Sequence, residues 1–154
     1  MRRKKGCVVH HFYKAGDAGG WLVYSEWQSL NELGGARREL ARSPLYRKLH
    51  ALLERSGERA FEPYGGTRSL RGAAMTSSPA ALLVEMKADP EKAEIALDAL
   101  KQIEGYASHV VMRQVGQTDV VAGFVTFASE EAAAKVKKEV AKAEGVSTVD
   151  QLSS

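Results

Sequence analysis

Three kinds of side chain in this 154-residue sequence could do chemistry: histidines, a short run of aromatics, and one cysteine. His10 and His11 are neighbours in the strand-like phrase CVVHHFY, so their imidazoles point to opposite faces and cannot chelate one metal together. His50 follows Tyr46 and Leu49 near the edge of the apolar face of a leucine-rich helical stretch. That position fits either a helix-surface histidine or a cofactor ligand. No second histidine or carboxylate stands at the spacing a zinc or iron site requires, so the sequence assigns no metal ligands. Trp21 and Trp27 lie an even number of residues apart on one strand and share a face, with Tyr24 on the other. Aromatics so placed line a pocket for a flat ligand or pack as core or subunit interface. Cys7 follows Arg and Lys, which favour the thiolate, but a lone strand-end thiol is usually inert.

The recognised catalytic motifs are missing. The glycines of AGDAGG and YGGT are not followed by Gly-Lys-Ser/Thr, so they form no phosphate loop. There is no Gly-x-Ser-x-Gly elbow and no suggestively placed carboxylate pair. The residues name no catalytic group and require no cofactor, and they leave open whether the chain is an enzyme.

These side chains must be positioned by a soluble, globular frame. Hydrophobic residues make up 44% of the chain and charged residues 27%, which excludes a disordered protein. No apolar run approaches the roughly 20 residues of a membrane span. The start, MRRKKGCVVHHFY, is basic and then only briefly apolar, unlike a signal peptide. With one cysteine no internal disulfide forms, and a cytoplasmic location is the default. Charge is uneven. Residues 1–72 hold 14 of the 22 Lys/Arg and 7 of the 19 Asp/Glu, a net of +7 against −4 for the remainder. Such asymmetry marks either a nucleic-acid face or two lobes that attract. The placement of the basic residues mostly on helix surfaces disfavours nucleic acid.

From Ala80 onward the chain reads strand, helix, two strands, helix, strand, the β-α-β-β-α-β order of a ferredoxin-like fold. In the first of these helices Ala93, Ala96, Leu97, Leu100 and Ile103 form an apolar stripe, with Asp89 as cap, Pro90 at the first position and Gly105 as stop. In the second, Ala133, Val136, Val140 and Ala143 form the stripe, Ser129 the cap and Gly145 the stop. Strands Val110–Val115 and Val120–Phe127 flank a turn of Gly116, Gln117, Thr118 and Asp119.

The earlier part predicts a hairpin of CVVHHFY and WLVYSEW and a helical region from about Leu30 to Arg55, broken at Pro44 with Ser43 as cap. Leu45, Leu49, Leu52 and Leu53 then face the core, and RAFEPYG is a last strand. This β-β-α-β order lacks an opening strand and helix, which implies a start upstream or cover from a partner chain. The expectation is therefore α+β: ferredoxin-like units of the dimeric α/β-barrel type, with antiparallel sheets and helices on one face. Residues 1–72 form a partial lobe, 73–79 a linker, and 80–154 a complete lobe. Exposed sheet faces of this kind need covering, so a homo-oligomer is expected.

Two resemblances add to this. The phrases EGYASHVVM, GQTDVVAGF and AEGVSTVDQL make residues 80–154 resemble the ligand-binding domain of the Lrp/AsnC regulators. The resemblance implies a dimer and a small-molecule site, of the amino-acid-sensing kind, near Gly116, Thr118 and Asp119. VYSEWQSLNEL and LARSPLYRKLHALL make residues 1–72 resemble the later part of an antibiotic-biosynthesis-monooxygenase domain, itself a dimeric α/β-barrel. The haem-degrading branch of that family places a haem-ligating histidine where His50 stands, which implies a pocket over His50, Trp21 and Trp27. The tryptophan of that branch falls here at Leu40, and the strand bearing its asparagine is absent. ELARSPLYRKLHALLERSG also resembles the helix-turn-helix of a transcription regulator, but the preceding hairpin argues against that arrangement. A small-molecule-binding module is thus the leading expectation. A monooxygenase-like or haem-degrading oxygenase is the alternative, and an Lrp/AsnC-like regulator the third.

Overall fold

The computed structural model describes residues 5–16, 19–51, 57, 59–64, 79–117 and 119–154, and the side chains of these except residues 9, 10, 49 and 50. Strands β1 (Cys7–Ala15) and β2 (Gly20–Trp27) precede helices α1 (Leu30–Arg42) and α2 (Pro44–Ala51) and the short β3 (Phe61–Pro63). Then come β4 (Ala80–Met86), α3 (Pro90–Asp98) with a 3-10 turn over Ala99–Gln102, and β5 (Tyr106–Gln114). Strand β6 (Val121–Phe127), α4 (Glu130–Val140) and β7 (Val146–Ser153) complete the order. Among the described residues, seven strands form one sheet, β2-β1-β7-β4-β6-β5-β3. Its central order β7-β4-β6-β5, antiparallel throughout, is the ferredoxin-like arrangement expected for residues 80–154. The fold is α+β.

Contacts divide the chain into two units, Met1–His11 with Tyr24–Arg59, and Phe12–Val23 with Ala60–Ser154. This cut differs from the division at residues 72 and 80. Backbone pairing is the reason. Lys14 and Ala15 pair with Ser153 and Leu152, while Phe61–Pro63 pairs with Met112–Gln114 of β5. The loop end of the hairpin and β3 thus extend opposite edges of the ferredoxin-like sheet, where a separate β-β-α-β lobe had been expected. Pro63, with no N–H to donate, stands in the edge strand β3, as its chemistry requires. The linker 73–79 lies outside the described residues, Pro79 apart.

In the smaller unit, Ser29 caps α1 by accepting from the Glu32 N–H at 3.2 Å. Ser43 and Pro44 break the helical region as expected, and the Ser43 hydroxyl accepts from the Tyr46 N–H at 3.4 Å. Leu45 departs from expectation. It is 77% exposed rather than turned to a core, leaving Tyr46 as the half-buried side chain of that turn. Leu52 and Leu53 lie outside the described residues, as does the Leu49 side chain.

The larger unit buries both faces of its sheet. On the helix face Leu82, Val84, Val111, Val121, Val125 and Phe127 pack against Ala93 and Leu97 of α3 and Ala133 and Val136 of α4. The predicted starts and stops hold these helices in place. Asp89 accepts from the Glu91 N–H at 2.9 Å, Ser129 from the Ala132 N–H at 3.1 Å, and Gly105 and Gly145 adopt φ of +87° and +82°. The α-helices end earlier than the stripes suggested, at Asp98 and Val140.

On the opposite face, Tyr13 and Phe124 meet edge to face with ring centroids 5.6 Å apart. Their strands β1 and β6 are three steps apart, roughly 14 Å in a flat sheet at about 4.8 Å per strand. Both rings are almost fully buried. The sheet therefore curls, and its concave face closes over Leu83, Val110, Ala122 and Leu152. Thr126, the buried polar residue there, shares a 2.7 Å hydrogen bond with the Ser108 hydroxyl. Burial in this environment pushes the Tyr13 phenol up to about 12.

Candidate functional site

The two apolar stripes do not fill the space between their helices. Ala93 and Leu97 are buried, but Ala96 and Ala143, which continue the stripes, stay exposed. Between them lies a groove of about 580 Å³, with Val84 and Leu97 among its floor residues. Small side chains keep it open, since four alanines (Ala88, Ala93, Ala96 and Ala143) line it where leucines would close it. Lys87, Lys92, Asp89 and Glu144 stand around it, so charges of both signs border an apolar floor. One end is fixed by backbone. The Lys87 N–H donates to the Gly145 carbonyl at 2.8 Å, and a side chain at Gly145 would press on the Lys87 carbonyl at 3.1 Å. Its lining is apolar at the floor with Lys, Asp and Glu at the border, the make-up of a small-molecule binding groove.

The residues singled out from the sequence fall in separate places. Gly116 has φ +83° and a Cβ there would meet nothing within 4 Å, so the turn is open. Asp119 is exposed beside it, and Thr118 lies outside the described residues. The turn is closed by the Gln114 N–H donating to Val120 at 3.1 Å and the Gln117 N–H donating to Gln114 at 3.2 Å. Met86 pairs with both Val121 and Val146, which puts the turn at the same end of the sheet as the groove. Trp21 is 73% exposed, whereas Trp27 is half-buried and donates its indole N–H to Ser25 at 2.9 Å. The two tryptophans belong to different units. His50 lies near the end of α2 and its imidazole is outside the described side chains, so no geometry joins it to either tryptophan.

A further cluster was missed from the sequence. Glu94 and Asp98 stand one turn apart on α3, and both approach His109 on β5. The His109 Nε2 is 3.7 Å from Glu94 Oε1 and 3.4 Å from Asp98 Oδ1. Its Nδ1 lies 2.8 Å from the Tyr106 hydroxyl. The imidazole is 2% exposed, Glu94 17% and Asp98 45%. Asp98 also holds the half-exposed Lys101 ammonium at 2.6 Å. Strand β5 begins at Tyr106, earlier than the predicted Val110, and this brings His109 into the sheet on the face of Val111. The signal was the Glu-x-x-x-Asp spacing, which sets two carboxylates on one helix face above that strand.

No family model and no curated protein matches the chain. Among solved structures it is similar to one described as the crystal structure of an anthrone oxidase-like protein, with a TM-score of 0.63 and 15% identity. That likeness covers 99% of this chain and 78% of the other. At this identity it speaks for the fold alone, an α+β fold with a curled antiparallel sheet.

Proposed function

We propose that the protein binds a small, flat, mainly apolar molecule in the groove between α3 and α4, and that oxidation of anthrone-type substrates is the first activity to assay. The observation that carries the reading is the groove itself, apolar at its floor and bordered by charges of both signs. The similarity of fold to an anthrone oxidase-like protein along nearly the whole chain supports the oxygenase class, the alternative among the sequence expectations. A haem-dependent version would need His50, Trp21 and Trp27 to converge, and nothing described argues for that convergence.

The test is calorimetric titration of an anthrone into wild-type protein and into Ala96→Trp and Ala143→Trp. Both positions are exposed, so the indoles fill the groove while the core stays intact. Affinity should fall at least tenfold in both variants with unchanged circular dichroism. Equal affinity in all three proteins would remove the groove as the ligand site.

A second reading, favoured by the open Gly116–Asp119 turn at the same end of the sheet, is an Lrp/AsnC-type site for an amino acid. Asp119→Ala then weakens amino-acid binding and leaves the fold unchanged, whereas unaltered affinity removes that site. The homo-oligomer belongs to both readings and is checked by light scattering.

A further inference from the structure

We propose that Glu94, Asp98 and His109 form a binding site for a divalent transition-metal ion, independent of the groove and of the function proposed for it. Among the described residues this is the one place where three side chains of ligand type converge, with a donor atom from each within 4.8 Å of the others.

Geometry comes first. A four-coordinate ion with bonds of about 2.0–2.2 Å holds its donors roughly 3.3–3.6 Å apart. The Nε2 to oxygen distances of 3.4 and 3.7 Å need only small side-chain adjustments to reach that shell. The imidazole is already oriented for it. With the proton on Nδ1, shared with the Tyr106 hydroxyl 2.8 Å away, the Nε2 lone pair is turned toward the carboxylates, the outer-shell arrangement typical of metal-bound histidine.

Electrostatics points the same way. Two carboxylates one turn apart repel on a helix surface. Here Glu94 Oε1 and Oε2, Asp98 Oδ1 and His109 Nε2 are all shielded from solvent, where uncompensated charge is costly. A divalent ion bound here would supply compensating positive charge, in competition with the Lys101 ammonium that Asp98 holds. Lys101 and Asp98 are both about half exposed, so their ion pair is a weak competitor.

One nitrogen and two carboxylate donors suit zinc, manganese, iron or cobalt(II) better than magnesium or calcium, which prefer oxygen alone. Asp98 is the most exposed of the three side chains, at 45%, and marks the side from which an ion would enter.

The test is titration of the full-length protein with Co²⁺, read by its visible absorption, and with Zn²⁺, read by calorimetry. The site predicts one ion per chain, with affinity lowered at least a hundredfold in Glu94→Gln and His109→Ala and unaffected in His11→Ala. Lys101→Met, on the exposed side and harmless to the core, should tighten binding several-fold by removing the competing ammonium. No saturable binding by wild type would overturn the proposal and leave an ion-paired histidine. So would binding that survives Glu94→Gln, or affinity unchanged or weakened in Lys101→Met.

Discussion

Leu97 of α3 lies where a side chain at Gly123 of β6 would begin. The missing Cβ lets the helix settle onto the sheet, and the same leucine forms part of the floor of the groove. Both sides of the contact are buried, with Leu97 3% exposed.

Gly123→Ala should therefore overpack the interface. The expected cost is about 1–3 kcal/mol, read as a lower urea midpoint with an unchanged slope. A variant as stable as wild type would mean that α3 is free to ride higher on the sheet.

The curl of the sheet has its own test at Tyr13. Its phenol is pushed up to about 12 by burial, from 10 when unfolded. The neutral form is thus favoured in the folded chain, so this contribution is complete below pH 10 and is lost as pH rises through about 12. Tyr13→Phe, which cannot ionise, should lose less stability than wild type between those limits. The difference should be on the order of 1 kcal/mol by pH 11. Parallel pH profiles for the two proteins would place Tyr13 in water and contradict the closed concave face.

The starts of α3 and α4 make a third prediction. Asp89→Ala and Ser129→Ala each remove a side-chain acceptor from an otherwise unsatisfied N–H, costing about 0.5–2 kcal/mol apiece. Chemical denaturation of each variant and of the double variant should give nearly additive losses, because the caps share no partner.

Much of this was legible in the sequence. Stripes at three- and four-residue steps, with Asp89, Ser129, Gly105 and Gly145 at their ends, are local signals, and local hydrogen bonds and φ angles honour them. What the sequence concealed is long-range. That β3 pairs with β5, and that β1 joins β7 through Lys14 and Ala15, depends on which sheet edges are free rather than on any property of those segments. The same holds for the sites. The groove is the part of two legible stripes left uncovered when both α-helices end early. His109 meets Glu94 and Asp98 only because β5 starts at Tyr106.

The most direct measurement is a nitrogen-15 correlation spectrum of the labelled protein during addition of an anthrone. Groove binding predicts saturable shifts concentrated in Lys87–Leu100 and Val140–Val146, with Gly116 and Asp119 moving little. Shifts confined to the Gly116–Asp119 turn, or none at all up to the solubility limit of the compound, would contradict it.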